Sequence, residues 1–291
     1  MHNRSLDAVL PPGSVVTEVV PRGGGMLSTV HEVRLAGAGP LIVKQYADEW
    51  RWKQAKEVHV YALLAEHGVP GAPRVVRTDP GRGITVLTLV PGTPLSESPA
   101  ADVPSAYRRM GELLAVLHRI PIPAFGYLTT EILDPRPENT GYMAAQFARH
   151  LATFTEHGGP AELADAIRDR AGESAGLLGA CAGPVLCHND LHEGNVLVDG
   201  SGAVRGFVDL ENVIAADPLL DLAKTLQYDR DRSPAKRAAL LDGYGPLSPG
   251  AFERIDLYRM FHSLELWAFF AEIGNTGPLP SIAEDIRDLV T

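Results

Sequence analysis

Cys187-His188-Asn189-Asp190-Leu191-His192-Glu193-Gly194-Asn195 is the most informative stretch of the chain. It places a carboxylate, Asp190, five residues ahead of a carboxamide, Asn195. That pattern suits a loop serving a metal-bound phosphate. Asp190 has the chemistry to accept the proton of an attacking hydroxyl, and Asn195 offers an amide oxygen to a hard cation. Just beyond, Val196–Val198 and Val204–Val208 flank Asp199-Gly200-Ser201-Gly202, the pattern of a β-hairpin. Neighbouring strands lie about 5 Å apart. Asn195 and Asp209, at the two ends of this hairpin, are therefore expected side by side as oxygen ligands for Mg²⁺.

Upstream, the chain alternates short β-branched runs with turns. Val15–Val20, Val30–Leu35 and Leu41–Val43 read as strands, divided by Gly23-Gly24-Gly25 and Gly37-Ala38-Gly39-Pro40. Arg51–His67 lacks internal Gly and Pro and stops before Gly68, so it reads as a helix. Val75–Arg77 and Ile84–Leu89 read as two more strands around the turn Asp79-Pro80-Gly81. Val90-Pro91-Gly92-Thr93-Pro94 then marks a joint. The expected domains are an N-terminal lobe, 1–90, and a C-terminal lobe, 91–291.

The second part reads as mainly helical. Ser105–Arg119 puts Ala106, Met110, Leu113, Leu114 and Leu117 on one face. Phe125–Gly141 lacks periodicity and is expected to be a loop. Asp217-Pro218, Ser233-Pro234 and Ser248-Pro249 are expected to cap three helices. Ser281-x-x-Glu284 reads as a capping box for the last one.

Composition limits the function. The 291 residues carry 26 Lys+Arg against 36 Asp+Glu, a net charge of −10. The negative balance argues against a surface that tracks nucleic acid or anionic membrane and leaves room for a cationic ligand. The charge is uneven. Ten basic and eight acidic residues precede Ser96, and 16 basic against 28 acidic follow. No signal-peptide pattern and no apolar run of about 18 residues is present, so cytoplasmic residence is expected. Cys181 and Cys187 are too few for a disulfide framework and are expected to be packed, inert thiols.

His188-x-Asp190-x4-Asn195, then Val208-Asp209-Leu210 and Asp217-Pro218-x-x-Asp221-Leu222-Ala223, resemble the aminoglycoside phosphotransferase family, relatives of choline kinases and protein kinases. The resemblance runs from about Val15 to Ile273. It implies an α/β, two-lobed, protein-kinase-like fold with an antiparallel N-lobe sheet plus one helix and a larger, mainly helical C-lobe. It makes Asp190 the catalytic base and gives Asn195 and Asp209 to Mg²⁺. Lys44, in the third strand, matches the lysine that grips the nucleotide phosphates, and Glu57 matches the carboxylate that orients it. Gly23-x-Gly25-x-x-Ser28 resembles the phosphate-covering loop, with Ser28 in place of a third glycine. ATP or GTP is expected in a cleft near Thr88–Val90. Two departures stand out: Asn189 and Ala216 replace glycines usual in the family.

The acceptor is expected to be a small-molecule hydroxyl of an antibiotic, an aminoglycoside or a cationic peptide antibiotic of the viomycin and capreomycin type. Glu265 and Glu272, at i and i+7 in the apolar run Leu264–Ile273, are candidates to meet its ammonium groups. Asp134, Glu193 and Glu211 are further candidates. A metabolic kinase for choline, homoserine or an amino sugar shares the same motifs. A nucleotide-binding regulator without activity has no need of Lys44, Glu57, Asp190, Asn195 and Asp209 together. His188 is expected to brace the loop, Asp217 to cap a helix and Asp221 to stabilise that helix start. The chain is expected to act as a monomer or homodimer.

Overall fold

The computed structural model describes residues 8–23, 27–99, 102–228 and 233–290. The N-terminal elements are β1 (Val16–Arg22), β2 (Ser28–Leu35), β3 (Ala38–Tyr46), α1 (Arg51–Glu66), β4 (Val75–Asp79), β5 (Ile84–Thr88) and β6 (Thr93–Pro94). Next come α2 (Val103–Leu117), β7 (Phe125–Leu128), β8 (Ile132–Arg136), α3 (Asn139–Glu156), α4 (Ala161–Glu173) and α5 (Ala175–Gly179). The motif region holds β9 (Val185–Cys187), β10 (Val196–Val198), β11 (Val204–Phe207) and β12 (Ile214–Ala216). The chain ends in α6 (Pro218–Gln227), α7 (Pro234–Tyr244), α8 (Ala251–Glu272) and α9 (Leu279–Val290).

These elements form two compact units. The first takes in the described residues through Asp102 together with Leu128–Glu131 and Glu193–Asn212; the second takes in the remainder. The division is therefore not a single cut at residue 90, because the hairpin carrying Asp209 folds with the N-terminal strands.

In the first unit an antiparallel sheet runs β1-β2-β3-β5-β4. Alternation along the strands turns Val33, Val43, Ile84 and Val86 inward, and Val9 and Leu10 close over them. Gln54 of α1 donates from Nε2 to the Ile84 carbonyl at 2.6 Å, which ties the helix to β5. Helix α1 buries Val60, Tyr61 and Leu64, and also the charged Lys53, Lys56 and Glu57. Buried charges require partners. A second sheet, β11-β10-β6, pairs Leu197 with Pro94 and Val198 with Thr93. Gly206 is held against Gly71 so closely that any Cβ there would meet the Gly71 carbonyl. Phe207 also donates its N–H to that carbonyl at 3.1 Å.

In the second unit a sheet runs β8-β7-β12-β9. Helix α2 buries Ala106, Met110, Leu113, Leu114 and Leu117, the face its spacing predicts, and packs on α7. Helix α8 packs on α6, α3 and α9. Asp217 and Ser233 cap α6 and α7 as expected, accepting from the N–H groups of Leu219 and Lys236.

Three expectations fail. Phe125–Gly141 is not a loop: it supplies β7, β8 and the first residues of α3. β8 is an edge strand, where Pro135 removes no needed donor. Ser248-Pro249 does not cap α8, which starts at Ala251 after Gly250 takes a left-handed φ of 75°. Ser281 lies inside α9, donating its hydroxyl to the Pro278 carbonyl at 3.0 Å. In Leu264–Ile273, Leu264, Trp267, Ala268 and Ala271 are buried, whereas Phe269 and Ile273 are exposed.

Candidate active site

Lys44 organises the first unit. β3 aims its ammonium inward, where Nζ lies 3.0 Å from Glu57 Oε1, 3.2 Å from Asp209 Oδ1 and 3.2 Å from Glu211 Oε2. Tyr46, two residues along and hence on the same face, donates to Glu57 Oε2 at 2.8 Å. Tyr61 donates to Glu57 Oε1 at 3.3 Å, one helical turn away. Burial alone would lower the Lys44 pKa, but Glu57 and Asp209 outweigh it and hold it well above the ordinary lysine value. The group is a permanent cation surrounded by acids. Lys53 extends the network, 3.7 Å from Glu211 Oε1 and 3.4 Å from Asn212 Oδ1.

The hairpin delivers Asp209 to this cluster. Val196 pairs with Phe207, and Val208 donates its N–H to the Asn195 carbonyl at 2.9 Å. Asn195 and Asp209 thus lie at adjoining ends of β10 and β11. Asp209 adopts φ +67°, a left-handed conformation uncommon outside glycine. Its side chain stays 31% exposed while that of Lys44 is 8% exposed. An amide oxygen and a carboxylate form a hard, all-oxygen donor set of the kind Mg²⁺ takes.

In the second unit, Asp190 is half-buried and accepts a hydrogen bond from the Tyr228 hydroxyl. The loop before it is held by Asp221 of α6. That fully buried carboxylate accepts the backbone N–H of His188 at 2.6 Å and of Asn189 at 2.8 Å. Its Oδ2 also lies 3.1 Å from His118 Nε2, whose Nδ1 is 3.0 Å from the Tyr244 hydroxyl. Asn189 has φ +59°. Asparagine is among the few side chains that accept this conformation, so the turn does not require a glycine at position 189. Asp221 thus does more than stabilise a helix start.

The model of the phosphotransferase enzyme family (APH) matches residues 18–258. The chain belongs to the phosphotransferase enzyme family. It is 28% identical to the streptomycin 3''-kinase of Streptomyces griseus, across 85% of this chain and 94% of that one. Its fold resembles a thermostable mutant of aminoglycoside phosphotransferase APH(4)-Ia in ternary complex with AMP-PNP and hygromycin B. That match has TM-score 0.71 and 14% identity over 94% of this chain and 93% of that one. A choline/ethanolamine kinase family protein from Mesorhizobium loti matches with TM-score 0.67 and 20% identity, over 94% and 87%. The kinase-like α/β fold is therefore that of the family.

The other predicted residues of this phosphotransferase occupy varied places. Gly25 lies outside the described residues. Ser28 opens β2, half-buried and paired with Tyr46. Thr88 closes β5, its hydroxyl accepting the Arg74 N–H at 2.9 Å, and Val90 is buried. Glu211 is engaged with Lys44, Lys53 and Tyr46. Glu193 is half-buried, and its carbonyl accepts the Ser96 N–H. Asp134 is exposed, pairing with Arg136 at 3.0 Å. Glu265 is ion-paired with Lys224 at 2.7 Å and faces His262 at 3.2 Å, whereas Glu272 is exposed near Thr153. An apolar cavity of about 830 Å³ among α3, α4 and α5 is lined by none of these residues.

Both cysteines are free thiols. Burial pushes Cys181 up to about 12 and Cys187 well above its ordinary value, so neither is a nucleophile at neutral pH. No helix among the described residues is long and apolar enough to cross a membrane. Sequence reasoning missed His118, Tyr46, Lys53 and Tyr228. Only Tyr46 left a signal, through its two-residue spacing from Lys44.

Proposed function

We propose that this phosphotransferase moves the γ-phosphoryl group of ATP or GTP to a hydroxyl of a cationic antibiotic, an aminoglycoside first. The observation that carries the reading is the contact of Lys44 with both Glu57, at 3.0 Å, and Asp209, at 3.2 Å. It joins a strand cation suited to phosphate with a carboxylate suited to a phosphate-bound metal.

In this reading Lys44 binds the α- and β-phosphates, and Glu57 with Tyr46 fixes its direction. Ser28 and backbone N–H groups near it add donors to the phosphates. Asn195 and Asp209 would hold Mg²⁺, which when bound offsets the phosphate charge. Asp190 accepts the proton of the attacking hydroxyl as oxygen bonds to phosphorus and the nucleoside diphosphate leaves. Asp221 keeps the backbone before Asp190 fixed, so the base is oriented in advance. Nucleotide supply places the reaction in the cytoplasm.

Similarity to a streptomycin 3''-kinase over nearly the whole chain supports an antibiotic acceptor. The acidic stretch after Leu95 supports a cationic one. The choline/ethanolamine kinase likeness favours a second reading, a metabolic kinase for a small amino alcohol. A coupled screen for ADP or GDP release separates them. Aminoglycosides, cyclic-peptide antibiotics, choline, ethanolamine and homoserine are offered in turn, with Asp190→Ala as the control. Turnover of choline alone would favour the second reading. Turnover by Asp190→Ala at the wild-type rate would refute the base.

A further inference from the structure

Tyr228 follows the last residue of α6, and its hydroxyl donates to Oδ1 of Asp190. Its ring leans on His192, with centroids 4.9 Å apart and planes inclined at 52°. The residue is nevertheless 42% exposed, so the hydrophobic core does not dictate its position. Burial of part of the side chain, and then the charge of Asp190, hold the phenol well above its ordinary pKa. It therefore stays a donor at every physiological pH, and Oδ1 of Asp190 is the oxygen that accepts it.

An alcohol O–H donating to a carboxylate oxygen is the interaction a general base makes with its substrate. We propose that Tyr228 is a placeholder for the acceptor: its hydroxyl occupies the Asp190 oxygen until an acceptor hydroxyl displaces it, and so denies that oxygen to water. The proposal rests on the reading of Asp190 as base. The reaction it suppresses balances simply. A water oxygen bonds to the γ-phosphorus, and the bond from phosphorus to the β,γ-bridging oxygen breaks. The nucleoside diphosphate leaves, and the water proton passes to Asp190. Inorganic phosphate is released, and the nucleotide is consumed without product. His192 contributes by seating the phenol ring, which makes it a positioning residue.

Tyr228→Phe keeps the ring on His192 and removes only the hydroxyl. The measurement is phosphate release by the full chain with Mg·ATP and with Mg·GTP, without acceptor. The expected result is a rise of about five-fold, about 1 kcal/mol, the worth of one hydrogen bond. The rise should vanish in the double variant Tyr228→Phe/Asp190→Asn, and KM for the acceptor should fall because nothing has to be displaced. Unchanged or slower phosphate release, or a rise that survives in the double variant, overturns the placeholder. His192→Ala is the second variant, expected to raise release in the same direction if Tyr228→Phe does not fold. No rise in that variant also overturns it. The underlying reading fails differently, by Asp190→Ala transferring phosphate to acceptor at the wild-type rate.

Discussion

Oδ1 of Asp221 accepts the backbone N–H of Asn189 at 2.8 Å. The contact sets the chain one residue before Asp190, and the companion bond from His188 closes the same turn. Burial would raise the Asp221 pKa, but hydrogen bonding and charge from His118 and the loop hold it below the ordinary carboxylate value. Asp221→Asn replaces one acceptor with an amide N–H facing a donor. The expected outcome is a loss of kcat of about 10²-fold, the cost of a base misplaced by about 1 Å. Nucleotide affinity by calorimetry should be nearly unchanged. A wild-type kcat would show that the loop holds its shape without this brace. Asn189→Gly should be tolerated at the same site, whereas Asn189→Val should cost at least about 1 kcal/mol, because φ is left-handed.

Lys44 is the cation that three carboxylates share. Glu57, Asp209 and Glu211 all contact its ammonium. Removing one member of a buried ion pair costs about 3–5 kcal/mol. Lys44→Met should therefore abolish nucleotide binding and also lower stability in urea by an amount of that order. Glu57→Gln leaves Asp209 and Glu211 with the lysine. It should preserve most of the stability while raising the nucleotide KM about ten-fold through lost orientation. Equal stability of wild type and Lys44→Met would refute the electrostatic account.

Lys56 is fully buried on α1. Burial first, then the like charge of Lys53, brings its pKa down to about 7. In the unfolded chain it titrates near about 10.4. Between these values the unfolded state binds more protons, so stability rises with pH across the window; below it the penalty is at its largest and flat. Lys56→Met should remove that slope and raise stability near neutral pH by roughly 2–4 kcal/mol. Urea melts at about pH 6.5, 8 and 9.5 test it, because the gain must shrink as pH rises. A gain that is constant with pH would mean that packing, not charge, is responsible.

The elements most legible in the sequence are those specified locally. The β10–β11 hairpin is written in two β-branched runs around Asp199-Gly200-Ser201-Gly202, and α2 in a spacing that its buried residues reproduce. β7 and β8 are hidden, being four and five residues long, with Ala215 as the β12 partner of Gly126. No local pattern encodes so distant a pairing. The charged face of α1 is opaque for the same reason. Lys53 is buried because Glu211 and Asn212 reach it from 158 and 159 positions away. Tyr228 sits 38 residues from Asp190, and nothing in its neighbours marks it.

Gly111 of α2 and Gly243 of α7 let two helix backbones touch. A Cβ on Gly243 would fall on the Arg108 carbonyl, and one on Gly111 would fall on the Leu240 carbonyl. Neither neighbour can rotate away, because both are main chain. One residue on, Tyr244 bonds His118, which bonds Asp221. Separating the helices must therefore pull on the brace of the Asp190 loop. Gly243→Ala should cost about 1–3 kcal/mol by overpacking. It should also lower kcat by more than the unfolded fraction explains, with Tyr244→Phe giving part of the kcat loss and little of the instability. Gly172, on α4, has open space where a Cβ would go. Gly172→Ala should instead stabilise by about 0.5–1 kcal/mol, as helix propensity dictates. Thermal melts of the three variants, paired with kcat on the same samples, decide it. A Gly243→Ala protein as stable and active as wild type would show that the helices can part without disturbing His118.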